Sequence, residues 1–346
     1  MTSHFLYRRR EFVVLLGSAA VAAIALPRIW QRDQRDQSPS NVYRVGLLSG
    51  AAPIADNSPF GAPFIRGLSR RGYELGRNLA FERRGAEEHI DRLGRLVDEL
   101  MASKVDVIVT FGYPAAAAAK QETELPVVAF AVDPVRTGLA ESLTRPGGNL
   151  TGISDVSAEV TPKRMELLRE MAPGLQRVAI LWNANDLGMT LRYRASEAGA
   201  QALGISVQPL GVREPEDFEE AFAAMKREMP DAIFMVSDVL TNLNRRRVYE
   251  FAAMHRLPAI YEFDFLVRDG GLMSYGPDLD QSFDRVAVLV DTILKLTCRS
   301  SSQPAFALFL TLRPQRLLAA TASMSTVPLL SYTTVETRSL KASGTT

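Results

Sequence analysis

Two doubly wound α/β lobes are what this 346-residue sequence predicts, and three observations carry that prediction. Short, continuous apolar runs such as RVGLLS at 44–49 and VDVIVT at 105–110 read as strands, because a strand covered on both faces shows no polar alternation. Helix-length segments separate these runs, as parallel neighbours joined by crossovers require. The rhythm then occurs twice, with an irregular stretch at 133–160 between, which is the layout of two layered domains in one chain.

Taken in order, the first lobe begins with strand Arg44–Ser49, helix 62–72 closing at Gly72, strand Leu79–Arg83 and helix His89–Ala102. Strand Val105–Thr110 follows, then a helix over Tyr113–Gln121 whose alanine run suits tight packing, then strand Val127–Ala131. The second lobe reads as helix 161–172, strand Arg177–Trp182, helix 189–203, strand Ile205–Pro209 and helix 215–228. It closes with strand Ala232–Ser237, helix 242–255 and strand Ala259–Tyr261.

Composition narrows the function classes. A chain with 47% hydrophobic and 23% charged residues is not disordered, and its length suffices for a sizeable core. The lone Cys298 excludes an internal disulfide framework, and His4, His89 and His255 leave little for metal sites. The formal charge of +1 is an average. Residues 1–30 carry Arg8, Arg9, Arg10 and Arg28 against Glu11, and residues 297–346 carry Arg299, Arg313, Arg316, Arg338 and Lys341 against Glu336. What remains is 31 basic against 37 acidic residues, so the body is acidic at −6 and does not read as a nucleic-acid binder. Arg245-Arg246-Arg247 is accordingly read as a solvated helix face.

The N-terminus places Arg9, Arg10 and Phe12 ahead of an apolar run ending at Leu26, followed by a polar stretch at 31–41. A basic start, a short apolar core and a polar exit form an export signal over 1–30, and the arginine pair matches the twin-arginine type of signal. General export, or an uncleaved anchor, is the alternative. Residues 31–41 read as a linker.

In open parallel sheets, ligands sit beyond the carboxyl ends of the strands. Here those ends are small and polar: Ser49-Gly50, Thr110-Phe111-Gly112-Tyr113, Ala131-Val132-Asp133-Pro134, Asn183-Ala184-Asn185-Asp186 and Ser237-Asp238. Such residues let helix-start amides approach an anionic group, although ordinary N-caps favour the same types. Catalytic signatures are missing: there is no glycine-rich phosphate loop ending in Lys-Ser or Lys-Thr, no dinucleotide fingerprint, no zinc-protease pair and no nucleophile elbow. Neither His255, at a helix end, nor Cys298 has a partner that would make it catalytic, and no cofactor is implied.

Three segments resemble the substrate-binding proteins of ABC transporters, in the family whose characterised members bind tryptophan or tyrosine. They are DPVRTGL at 133–139 continuing through SLTRPGGNLTG at 142–152, then GGLMSYG at 270–276, and the opening RREF at 9–12. The resemblance covers roughly 42–296. It implies a type-I periplasmic-binding fold, two Rossmann-like lobes with a hinge, with residues 42–155 plus 270–296 in lobe one and 156–269 in lobe two. It also implies a ligand between the lobes, a membrane permease with its ATPase as partners, Tat or Sec export and a periplasmic location.

By position, the ligand-binding candidates are Ser49, Asn57, Gly112, Pro114 and Asp133 from lobe one. From lobe two and the crossover they are Asn183, Ser237, Asp238, Tyr261, Ser274 and Tyr275. For an amino acid, hydroxyls and helix-start amides near Gly112 and Ser49 would take the carboxylate and Asp238 the ammonium, unless Asp238 serves as the N-cap of the next helix. Tyr261 and Tyr275 either stack on the ligand or pack between lobes.

The sequence departs from the family after Leu296, where TCRSSSQPAFALFLTLRPQRLL runs into a tail with seventeen Ser/Thr residues across 297–346. A reading-frame change near Cys298, an unrelated tail and simple divergence are the three readings. The expected function is an exported solute-binding component of an uptake transporter, capturing an amino acid or an aromatic or carboxylate compound. A periplasmic sensory module and, less in keeping with the motifs, an enzyme on the same scaffold are the alternatives.

Overall fold

A computed structural model describes residues 42–297 apart from 88 and 156, together with the strands at 309–311 and 316–319. The export-signal residues Arg9, Arg10 and Phe12, the linker at 31–41 and Cys298 lie outside the described residues.

Two six-stranded sheets form the framework. The first contains β1 (Tyr43–Ser49), β2 (Leu79–Gly85), β3 (Val107–Phe111), β4 (Val127–Val132) and β5 (Leu150–Asp155). The second contains β6 (Arg177–Asn183), β7 (Ser206–Val212), β8 (Ala232–Met235), β9 (Ala259–Tyr261) and β10 (Met273–Gly276). All ten are parallel to their partners in this set, and both sheets have the same winding, β5-β4-β3-β1-β2 and β10-β9-β8-β6-β7. Each order reverses direction once, between β1 and β3 and between β6 and β8. Such a reversal splays the following loops apart and opens a crevice at the carboxyl ends.

Helices cover the faces because their apolar positions recur at helical spacing. On α2 (Leu93–Ala102) the buried stripe is Leu93, Leu96, Val97 and Leu100. On α3 (Tyr113–Glu122) the buried positions are Ala115, Ala116 and Ala119, whose small side chains let the helix lie close to the sheet. On the opposite face α1 (Gly61–Ser69) meets α10 (Leu279–Thr297), so tightly that a Cβ on Gly67 would stand 2.8 Å from that of Ala287. Charge joins this pair as well: Arg66 meets Asp280, Arg70 and Arg71 converge on Asp284, and the Tyr73 hydroxyl donates to Asp291 at 3.0 Å. In the second lobe α4 (Ser157–Met171) and α5 (Leu187–Ala202) pack together. The set is completed by α6 (Asp217–Arg227), α7 (Val239–Leu243), α8 (Arg245–His255) and α9 (Asp264–Arg268).

Several expectations are corrected. The stretch at 133–160 is not wholly irregular, since it holds β5 and the start of α4. Gly152 disguises β5: a Cβ there would lie 2.0 Å from the Ala129 carbonyl oxygen, so only glycine passes and the apolar run is broken. The helix expected at 242–255 is two, α7 and α8, separated at Asn244. Residues 270–296 do not travel together, because β10 pairs with β9 in the second sheet while α10 packs on α1 and the first sheet. The tail also contributes two short strands, β11 (Phe309–Thr311) beside β5 and β12 (Arg316–Ala319) antiparallel to β10. No helix among the described residues is long and apolar enough to cross a membrane.

The α1–α10 contact is testable by pH. Bonds from Arg71 and then Arg70, against an opposing burial effect, hold the Asp284 carboxyl down at about 2. A carboxylate depressed in the folded state stabilises fully above its unfolded value near 3.8 and loses that contribution as pH falls toward 2. Asp284 is 34% exposed, so Asp284→Asn should cost only about 1 kcal/mol at neutral pH. Urea unfolding curves of the two proteins should converge as pH falls through this window.

Candidate functional site

The two switch points face one another across a cavity of about 370 Å³, a size that suits a small molecule. From the first lobe it is lined by the loop after β1 (Ser49 to Phe60), by Phe111, Gly112 and Pro114 after β3, and by Phe130 to Val132 of β4. From the second it is lined by the loops after β6, β7, β8 and β9.

Local chemistry explains how each group is presented. Ser49 ends β1 almost fully buried, its Oγ accepting the Ala51 N–H at 3.0 Å. Gly112 caps α3 with φ +87°, a conformation that favours glycine, and no side chain caps the helix there. The start of α3 therefore opens on the cavity with its positive dipole end. Phe60 meets Phe111 at 6.3 Å and 65°, Phe263 at 6.3 Å and 88°, and Phe265 at 5.9 Å and 75°, with Phe283 behind. This edge-to-face cluster gives the cavity an aromatic wall shared by the two lobes.

The acid groups are both N-caps. Asp238 caps α7 in a capping box: its Oδ1 accepts the Thr241 N–H at 2.8 Å and the Thr241 hydroxyl at 2.8 Å, while its own N–H donates to Thr241 Oγ1 at 2.9 Å. Its Oδ2 accepts from Asn183 Nδ2 at 2.6 Å. Burial raises the Asp238 pKa against these donors. Asp186 caps α5, accepting the Met189 N–H at 3.2 Å, and is 5% exposed. Burial, then the nearby Asp238 carboxylate, pushes its pKa up to about 6.

Behind the wall lies a buried charge junction. Glu262, just after β9, accepts from Arg164 of α4 at 2.9 Å and from Arg192 of α5, all three side chains being at most 3% exposed. Arg192 also donates to the Ser237 carbonyl at 3.2 Å, and Arg164 to the Tyr275 carbonyl. Among the described residues no three His, Cys, Asp or Glu side chains form a group fit for a metal ion.

Of the residues singled out from sequence, Ser49, Gly112, Pro114, Asn183, Ser237 and Asp238 line the cavity. The other five stand outside it. Asn57 is exposed on a turn of the loop after β1. Asp133, at φ +34°, closes its own turn by accepting the Arg136 N–H at 3.1 Å. Tyr261 is 1% exposed with its ring 5.1 Å from that of Tyr249, and Ser274 is 2% exposed. Tyr275 lies beside it on β10. These last three belong to β9 and β10, which lie beyond β8 from the second switch point. The aromatic wall, Asp186 and Arg192 were not singled out. The Asn183–Asp186 loop marks Asp186 in the sequence, whereas the phenylalanines read as core.

Comparison with known proteins places this architecture. A family model described as ABC transporter substrate binding protein matches residues 61–300. The tyrosine-binding protein of Clostridioides difficile is 24% identical over 220 residues, 63% of this chain and 63% of that one, so the chain spans under two thirds of that relative's length. A conserved domain protein from Vibrio cholerae superposes with a TM-score of 0.73 at 22% identity, covering 81% of this chain and 92% of that one. An ABC domain from Streptococcus pneumoniae in complex with L-Trp gives 0.71 at 21% identity with the same coverage. At these identities the solved structures establish the fold, two lobes of the type-I periplasmic-binding kind.

The charge junction makes a stability prediction. Glu262→Gln leaves two buried guanidiniums without a counter-charge and should cost about 3–5 kcal/mol in urea unfolding. A loss under about 1 kcal/mol would mean that the junction is not a closed ion network.

Proposed function

The chain belongs to the ABC transporter substrate binding protein family, and we propose that it captures a small amino acid with an aromatic body and delivers it to a membrane permease. The permease's ATPase then drives uptake, and the binding protein works outside the cytoplasm after Tat or Sec export. On this reading the protein binds its ligand without chemical change.

The observation that carries the reading is the division of labour within the cavity. Every charged residue that lines it, namely Asp186, Arg192, Arg213, Asp238 and Arg245, comes from the second lobe, and the first lobe's lining carries none. An aromatic amino acid fits this division, with its ammonium beside the second lobe's acids and its ring on the aromatic wall. The ring would lie against Phe60, Phe111 and Phe263, and the start of α3 at Gly112, with Ser49 and Pro114 beside it, faces the ligand carboxylate. On the other wall the capping acids, with Asn183 and Ser237, frame the ammonium. The tyrosine-binding relative and the tryptophan-bound neighbour support the same ligand class.

A thermal-shift series with the twenty amino acids tests this. Tyrosine, tryptophan or phenylalanine should raise the Tm with the logarithm of concentration, by the equivalent of about 4 kcal/mol at a thousandfold excess over Kd. A flat response from folded protein would remove the reading. Phe60→Ala, which deletes the centre of the aromatic wall, should weaken binding about tenfold or more by titration calorimetry.

A further inference from the structure

We infer that Asp186, rather than Asp238, is the carboxylate that contacts the ligand's ammonium group, and that Asp238 is a positioning residue that holds the loops around it. This rests on the reading of the cleft as a site for an amino-bearing ligand.

The hydrogen-bond inventory separates the two acids. Asp238 is engaged on both oxygens, by Thr241 on Oδ1 and by Asn183 on Oδ2. Asn183 in turn accepts the Asn185 N–H at 2.9 Å, so the acid ties the loop after β8 to the loop after β6. Asp186 is held by backbone N–H groups alone, from Met189 and Gly188. Both acids line the cavity, but Asp238 accepts from side chains on both oxygens whereas Asp186 accepts from backbone N–H groups only.

A second, independent observation points to a donor-rich guest. Ser237 is 3% exposed and its Oγ has no hydrogen-bond partner, and the buried Oδ1 of Asn242 has none either. Both residues line the same cavity. A buried polar atom left unpaired costs about 1–3 kcal/mol, so both oxygens are set up to be satisfied by what enters. One carboxylate, one hydroxyl and one amide oxygen match the three N–H donors of an ammonium.

The charged groups around Asp186 are Asp238 before α7, Arg192 on α5 with its partner Glu262 after β9, Arg213 after β7 and Arg245 on α8. The first lobe presents Tyr113 and Val132 near Gly188 and no charge. Arg192 is committed to Glu262 and Ser237, and Arg245 to Asp269. Burial, then the Asp238 carboxylate, holds the Asp186 pKa up at about 6. An arriving cation favours its ionised form, so binding near pH 6 displaces a proton and affinity falls as pH drops through that value.

Titration calorimetry on the full chain, Asp186→Asn and Asp238→Asn decides the matter, using tyrosine and tryptophan against their deaminated propanoate analogues. Asparagine caps a helix as well as aspartate does, so both variants keep their caps. The natural chain should prefer the amine by about thirtyfold or more, and lose about tenfold in amine affinity between about pH 7.5 and about pH 5. It should also release about half a proton per ligand near pH 6, read from buffers of different ionisation enthalpy. Asp186→Asn should abolish the preference, the pH dependence and the proton release together, whereas Asp238→Asn should keep the preference and move the pH dependence and proton release to lower pH, because the Asp238 carboxylate helps to raise Asp186. An Asp186→Asn protein that still binds with preference and proton release overturns the assignment and leaves the capture function standing. So does natural protein that binds amino acids near pH 6 with no proton released, with no variant needed. If the natural protein binds neither amines nor propanoates, the capture reading fails and this inference with it.

Discussion

Glu262 is a buried carboxylate that can exist in this interior only because two guanidiniums meet it. An ion of that kind cannot be desolvated alone, so its partners must arrive together and with correct geometry. Arg164 comes from α4 and Arg192 from α5, and they also donate to the Tyr275 carbonyl in β10 and the Ser237 carbonyl after β8. One charge therefore sets the spacing of two helices, the edge of the second sheet and a wall of the cleft. Gly276 belongs to the same constraint: a Cβ there would lie 2.1 Å from the Glu262 carbonyl oxygen and 3.3 Å from Arg164.

With that wall held, the cleft follows from topology. Parallel strands point all their carboxyl ends one way, and a reversal of winding opens a crevice at those ends. Because the same winding occurs in both sheets, two crevices meet, and the cavity is lined largely by residues that follow the strands, after β1, β3, β6, β8 and β9 above all. The capping acids Asp186 and Asp238 are there for a local reason, the need of α5 and α7 for an acceptor at their start. Their placement also puts both residues in the lining of the cavity.

How much of this could be read from the sequence depends on which interactions are local. The alternation of apolar strands and helices, the restart after the first lobe and the polar strand ends are local, and they led to Ser49, Gly112, Pro114, Asn183, Ser237 and Asp238. Sheet order is not local, so Tyr261, Ser274 and Tyr275 looked equivalent to strand ends at the switch point although β9 and β10 lie away from it. Phe60, Phe111, Phe263 and Phe265 come from segments as much as 205 residues apart, and nothing in their own neighbourhoods distinguishes a cleft wall from core. Gly152 hid a strand for the converse reason, since a close backbone approach selects against the apolar side chain that would have announced it.

The charge-free lining of the first lobe has a consequence for what the site can discriminate. An ion contact open to water is screened and weak; hydrocarbon in place of that water lowers the local dielectric and strengthens the contact several-fold. In this cleft the first lobe supplies one hydrocarbon wall and the guest's own apolar body must supply the rest. For a guest of the proposed kind, charge recognition would be gated by bulk: a small amine would leave water around its own ammonium group, while a ring large enough to fill the space between the walls would exclude that water and give the carboxylates their full attraction.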